Sequence, residues 1–80
     1  MTLGDLVNNV TVQGAISILV FNEEGDETER HILPATDGLQ DNVVYDVVGG
    51  KFVVSDYEDL EVAYIYPLKE ELVIELVSNE

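Results

Sequence analysis

The chain lacks cysteine and tryptophan and has only three lysine or arginine residues among its 80 residues. Without cysteine no disulfide can form, and the single histidine, His31, excludes a zinc site of the usual Cys/His kind. The absence of cysteine also suits a reducing compartment, so we expect a cytoplasmic protein. No apolar run approaches the ~20 residues that a membrane-spanning helix needs, and we expect no membrane partner.

Basic side chains are scarce, whereas carboxylates are abundant. Seventeen aspartate and glutamate residues give a net charge of −14, yet 46% of the residues are hydrophobic. The apolar residues fall in patterned runs, which predicts one folded domain, residues 1–80, and argues against disorder. Anionic lipid and the nucleic acid backbone would both repel this charge. We therefore expect a basic protein surface as the partner, with no direct binding of nucleic acid.

A short helix is predicted at the start of the chain, from Thr2 to about Asn9. Apolar residues recur there at helical spacing, namely at Leu3, Leu6, Val7 and Val10. Thr2 and Asp5 have the spacing of a capping box, with Thr2 as the N-cap. A helix of two turns is not stable alone, so it should lie on a sheet.

Alternating apolar residues predict six strands, over 15–21, 28–33, 43–48, 51–55, 60–66 and 72–77. Pro34 and Pro67 are expected to end the second and fifth strands, and Gly49-Gly50 to form a two-residue hairpin turn. The fold class is therefore predicted as α+β, with a short N-terminal helix packed on an antiparallel sheet of about five to six strands.

The alternation also predicts which side chains face the core. The strand 15–21 is apolar on both faces and should be central. The strand 60–66 should place Leu60, Val62, Tyr64 and Tyr66 on one face, and the last strand should direct Leu72, Ile74 and Leu76 inward. Asp37-Gly38 is a turn signal within the loop over residues 35–42.

Catalytic and metal-binding signals are weak. His31 has no evident partner in the sequence, and no serine lies in a nucleophile motif. Carboxylate pairs such as Asp37 and Asp41 are expected by chance among seventeen acids. Asn22, Glu24 and Asp26 alternate like calcium ligands, but Gly25 precedes Asp26 where the EF-hand pattern has glycine after it. We expect a non-enzymatic protein with no cofactor and no metal site.

The acidic residues concentrate in two segments, which are the candidate partner-binding residues: Glu23, Glu24, Asp26, Glu27 and Glu29, and then Asp56, Glu58, Asp59 and Glu61. Side chains on one face of a strand recur every ~6.8 Å, which resembles the regular charge spacing of nucleic acid. Two interpretations remain open, a dedicated surface for a basic partner and a charge that serves only solubility. Tyr57, beside the second segment, is either a half-buried sheet residue or an interface anchor.

Three stretches carry a resemblance: Met1-Thr2-Leu3-Gly4-Asp5-Leu6-Val7, Val12-Gln13-Gly14-Ala15-Ile16-Ser17-Ile18, and Glu58-Asp59-Leu60-Glu61-Val62-Ala63-Tyr64-Ile65-Tyr66-Pro67. Together they resemble small acidic orphan proteins of phages and integrative elements of Gram-positive gut bacteria. The resemblance implies a bacterial host cytoplasm and an anti-CRISPR-like inhibitor, a nucleic-acid mimic that occupies the basic groove of a Cas-type nuclease. The alternative is an accessory or structural interaction module of the mobile element, with a homodimer left open.

Overall fold

The computed structural model describes residues 1–36 and 38–78 as an α+β fold with one N-terminal helix and six strands. The elements are α1 (Leu3–Asn9), β1 (Gly14–Phe21), β2 (Glu27–Thr36), β3 (Val43–Tyr45), β4 (Lys51–Val53), β5 (Glu61–Leu68) and β6 (Glu71–Val77). Two short 3₁₀ helices, Leu39–Asp41 and Val54–Asp56, flank the β3–β4 hairpin. The α+β class and the N-terminal helix are confirmed.

The six strands do not form one sheet. Four of them make a mixed sheet in the order β2-β1-β6-β5, and β3 and β4 form a separate hairpin. β1 pairs in parallel with β6, while β2 and β5 are antiparallel to their neighbours. The prediction of a wholly antiparallel sheet is therefore wrong. The last strand inserts beside the first because β6, like β1, has apolar side chains on both faces and is buried as a central strand.

The core lies on one face of this sheet. Ile16, Ile18 and Val20 of β1 pack with Ile74 and Leu76 of β6. The helix and the hairpin cover them with a further set of buried side chains, Leu3, Leu6, Val44, Phe52 and Val54. The central position of β1 and the inward direction of Leu72, Ile74 and Leu76 are confirmed.

The predicted capping box at the start of α1 is present. The Asp5 backbone N–H donates to Thr2 Oγ1, and the Thr2 backbone N–H donates to Asp5 Oδ2, both at 3.1 Å. Hydrogen bonding from the Thr2 backbone N–H, aided by the Thr2 side chain, lowers the pKa of the Asp5 carboxyl below its usual value. Leu3 and Leu6 are buried, whereas Val10 lies after the helix and is exposed, so the apolar face is shorter than predicted.

Both proline predictions are wrong, because β2 continues through Pro34 to Thr36 and β5 through Pro67 to Leu68. β2 and β5 are the two edge strands of the sheet. An edge strand tolerates proline because alternate N–H groups point away from the neighbouring strand. β5 and β6 are then joined by a turn of only Lys69 and Glu70, since Leu68 pairs with Glu71.

The hairpin turn is longer than Gly49-Gly50. Tyr45 pairs with Lys51, so β3 stops three residues before the predicted end at Val48. The Asp46 Oδ1 carboxylate oxygen accepts from the backbone N–H groups of Val48 and Gly50 at 2.9 and 2.8 Å. This aspartate holds the five-residue turn, with Gly49 at φ 87°.

The Asp37-Gly38 turn prediction includes Asp37, which lies outside the described residues.

A shift of register in β5 corrects the predicted faces of its side chains. Val62 pairs with Leu76, but Tyr64 pairs with Glu75, so the ladder shifts at Ala63. Val62 therefore points to the core with Leu76, while Tyr64 and Tyr66 point to the opposite face with Glu75 and Val73. Bulges of this kind reverse the alternation that a sequence pattern assumes.

Within residues 1–36 and 38–78, no helix combines the length and the apolarity that crossing a membrane would require.

Truncation of Ile18 tests the one-sided core. Ile18 is fully buried in central strand β1, so Ile18→Ala should lower the free energy of unfolding by about 2–5 kcal/mol. Ile32→Ala on edge strand β2 is the matched control, because Ile32 is 38% exposed and should lose much less. Urea melts of the three proteins measure both effects, and equal losses would contradict this assignment of the core.

Candidate functional site

The nine candidate acidic residues lie at one end of the sheet. The pairing register places Glu27, Phe21, Val77 and Glu61 side by side in one row across all four strands. The β1–β2 turn and the segment that precedes β5 both lie next to this row. We call the nine residues, Glu23, Glu24, Asp26, Glu27, Glu29, Asp56, Glu58, Asp59 and Glu61, the acidic end. All nine are exposed.

The first acidic segment is held by a compact turn. Asn22 Oδ1 accepts from the Asp26 backbone N–H at 2.9 Å, and the Asn22 N–H donates to the Asp26 carbonyl at 3.0 Å. Gly25 has φ 88°, a left-handed conformation that glycine adopts without a steric penalty. The hydrogen bonds between Asn22 and Asp26 therefore hold the backbone of the turn. The carboxylates of Glu23 and Glu24 project into solvent.

The second acidic segment is anchored by the start of the chain. The backbone N–H groups of Leu3 and Gly4 donate to the carbonyls of Leu60 and Glu58, both at 2.9 Å. Glycine at position 4 eases this approach, because a Cβ there would lie 3.2 Å from the Glu58 Cβ and carbonyl oxygen, closer than most such contacts. The backbone that carries these exposed acidic side chains is thus fixed to the start of the helix.

Glu27 and Glu29 do not form the single-faced row that the strand pattern suggested. Glu29 pairs with Val20, whose side chain is in the core, while Glu27 pairs with Phe21 on the opposite face. The register shift between these pairs accounts for the change. Arg30 then lies on the same side as Glu27 and binds its two carboxylate oxygens at 2.8 and 3.2 Å.

Glu29 belongs to a hydrogen-bonded aromatic cluster that sequence reasoning missed. The Tyr57 hydroxyl donates to Glu29 Oε1 at 2.6 Å, and His31 Nε2 lies 3.0 Å from the same oxygen. The Tyr57 ring stacks on Phe52 at a centroid distance of 4.7 Å, and the His31 ring lies 4.9 Å from Phe52. No sequence signal joins these residues, because they come from β2, β4 and the segment before β5.

The contacts within this cluster shift the pKa values of Glu29 and Tyr57. The Tyr57 hydrogen bond, aided by His31, lowers the pKa of the Glu29 carboxyl. Burial, with the hydrogen bond to Glu29 and its charge, raises the pKa of Tyr57 to about 12. At neutral pH Tyr57 is therefore a neutral donor and Glu29 an anion. A phenol with this pKa is poorly suited to act as a general base.

Few cationic groups lie near the acidic end to neutralise its negative charge. Arg30 pairs with Glu27, and the N-terminal amine lies 3.1 Å from Glu61. Lys51 begins β4 and Lys69 lies in the β5–β6 turn, at the far end of β5 from Glu61. Among the described residues no ion pair involves Glu23, Glu24, Asp26, Asp56, Glu58 or Asp59. A strong negative potential at this end follows.

A groove connects the two acidic segments. Its lining includes Glu29 from the first segment and Asp56 and Asp59 from the second, together with Thr28 and Tyr57. The tertiary structure thus brings both predicted segments to one surface. In the part of the chain that the structure describes, no group of three or more acids and histidines has the arrangement of a metal site. What the arrangement offers chemically is attraction of cationic groups.

Comparisons with known proteins found no matching family model, no matching curated protein and no matching solved structure.

The role of Tyr57 can be tested by Tyr57→Phe. A lowered folded-state pKa of Glu29 contributes stability above its ordinary value near 4.5, and this contribution is lost as pH falls through the folded pKa. We expect the variant to raise the Glu29 pKa and to cost about 1 kcal/mol at pH 7, with a smaller cost at pH 3. NMR titration of the carboxyl and urea melts at both pH values measure this. Tyr45→Phe, at an exposed tyrosine, is the control, and an unmoved Glu29 pKa would contradict the assignment.

Crowded unpaired carboxylates should make the fold sensitive to salt. Screening weakens repulsion between exposed charges, so the melting temperature at pH 7 should rise between about 10 mM and 300 mM sodium chloride. Neutralising two of these acids, in Glu58→Gln with Asp59→Gln, should reduce the rise. A melting temperature independent of salt in the parent protein would mean that the acidic end carries little repulsion.

Proposed function

We propose that the protein is a non-enzymatic acidic inhibitor whose acidic end occupies a basic, nucleic-acid-binding groove of another protein. The observation that carries the proposal is the convergence of two separate acidic segments at one end of the sheet, with six of nine carboxylates outside any ion pair of the described residues. Such a surface attracts a cationic groove over long range.

The way the carboxylates are held supports binding by charge and shape together. Glu29 is oriented by Tyr57 and His31, while Glu23 and Glu24 extend from an ordered turn. A preorganised surface loses less conformational entropy on association than mobile side chains would. The groove beside Glu29 adds a concave element, into which a lysine or arginine side chain of the partner would fit.

The proposed target class is a host defence nuclease of the Cas type. Its guide and target strands lie in a positively charged channel, where an anionic protein would compete with nucleic acid. The resemblance to small acidic proteins of mobile elements is the reason for choosing this class. The charge and geometry support the more general statement, a basic groove that otherwise holds nucleic acid.

Charge reversal at the acidic end tests this function. Glu23→Lys with Glu24→Lys, and separately Glu58→Lys with Asp59→Lys, should abolish inhibition of a guide-loaded Cas-type nuclease from a Gram-positive gut bacterium. The matched control is Asp41→Lys with Glu70→Lys, which changes the net charge equally at exposed positions outside the acidic end. Association of the parent protein should slow about tenfold or more between low and high salt, as expected for electrostatic steering. Circular dichroism checks the fold of each variant.

Competition with target DNA is the second test of the proposed function. Binding should be lost when target DNA already fills the nuclease channel, because both ligands need the same basic surface. If the protein binds equally well to the DNA-filled nuclease, or if both charge-reversed variants still inhibit, the proposed function is wrong.

A further inference from the structure

The sheet has a second face, away from the core, that no helix or strand covers within residues 1–36 and 38–78. The pairing register assigns its side chains, and we call this surface the open face. Its main side chains are Leu19 of β1, Ile32 of β2, Tyr64 and Leu68 of β5, and Glu71 and Glu75 of β6.

Large apolar side chains remain exposed on this face. Tyr64 is 65% exposed, Leu68 51% and Ile32 38%, and all three belong to edge strands. On the central strands Leu19 and Val73 are buried, so the middle of the face is filled by neighbouring side chains. A shallow groove at the end away from the acidic end is lined by Ala15 and by the end of β5 and its turn, Leu68, Lys69, Glu70 and Glu71. An exposed tyrosine beside a filled apolar centre is typical of protein interfaces.

The open face also carries carboxylates in fixed positions. Tyr66 donates its hydroxyl to Glu75 Oε2 at 2.5 Å, and Ser17 Oγ donates to Glu71 Oε1 at 2.9 Å. Glu75 lies on central strand β6, between Leu19 and Tyr64 in the cross-strand row. Glu71 and Glu75 take part in no ion pair among the described residues, and Arg30 is paired with Glu27. The face therefore combines apolar contact area with a net negative charge.

The open face could be covered by a second copy of the chain or by a cationic protein segment, and its charge favours the segment. A second copy would place Glu71 and Glu75 of both chains in one interface and would bring together two molecules of net charge −14. A cationic protein segment would instead pair with these carboxylates as its apolar residues cover Tyr64 and Leu68. Desolvated carboxylates need such partners, because an unpaired buried charge is strongly destabilising.

We propose that the open face is a docking surface for a protein segment in which arginine or lysine alternates with apolar residues. The proposal deepens the function given above, and its choice of a basic protein partner rests on that function. The acidic end would attract the partner over distance, while the open face would supply short-range contact area and a specific register.

A peptide in which arginine alternates with leucine is the probe, and the same peptide with serine in place of leucine is its counterpart. The parent protein should prefer the leucine peptide. Tyr64→Ser should weaken binding of the leucine peptide about tenfold, within the range of interface tyrosines, and leave the serine peptide unaffected. Tyr45→Ser is the matched control, since Tyr45 is 58% exposed on the hairpin.

Substitution of the carboxylates tests the charge contribution. Glu75→Gln keeps an acceptor for Tyr66 and should weaken both peptides, with a smaller salt dependence than the parent. Asp41→Asn, at an exposed position of the first 3₁₀ helix outside the open face, removes the same charge and should have little effect. The proposal is overturned if the two tyrosine variants behave alike, or if the parent shows no preference for the leucine peptide. A dimer of the parent in sedimentation that Tyr64→Ser dissociates would also overturn it, because a second copy would then cover the face.

The nuclease experiment separates this proposal from the proposed function. If reversal of the acidic end abolishes nuclease binding while Tyr64→Ser does not, the function stands and the open-face proposal fails. If the parent prefers the leucine peptide but neither binds nor inhibits the nuclease, the proposed function fails and the open face remains a docking surface for basic segments.

Discussion

The parallel pairing of β1 with β6 is the constraint on which the rest of the structure depends. It makes the last strand a neighbour of the first, and it aligns Phe21 with Val77 at one end of the sheet. β2 begins and β5 begins at that same end, because each is antiparallel to its central partner. Had β6 paired antiparallel to β1, the segment before β5 would lie at the other end. One pairing therefore unites the two acidic segments.

Burial on only one face is the second constraint. A chain of 80 residues can bury a limited apolar core, and here the helix and the hairpin cover a single side of the sheet. The edge strands contain Pro34 and Pro67, which hinder further strand pairing at the edges. An uncovered face with Tyr64, Leu68 and Ile32 thus remains available, while extension of the sheet by another copy is disfavoured.

The acidic end is stabilised by hydrogen bonds more than by ion pairs. Thr2 caps the helix with Asp5, Asn22 closes the β1–β2 turn, and Tyr57 orients Glu29. The ion pairs of Arg30 with Glu27 and of the N-terminal amine with Glu61 are exposed and contribute little. Concentrated unpaired charge costs folding stability, and natural proteins retain such costs where they serve binding. This physical balance is one reason for which we propose a binding role.

Local features of the fold could be predicted from the sequence. The capping box at Thr2 and Asp5 and the inward side chains of Ile74 and Leu76 depend on neighbours within a few residues or on simple alternation. The nine acidic residues could likewise be named in advance, since charge and turn signals mark exposed positions. Tertiary structure alone decided that they share one end, that bulges direct Glu27 and Tyr64 to the open face, and that His31 and Tyr57 meet at Glu29. Those outcomes depend on strand order and register, which arise from pairing between residues as far apart as Ile16 and Leu72 and leave no periodic mark in the chain.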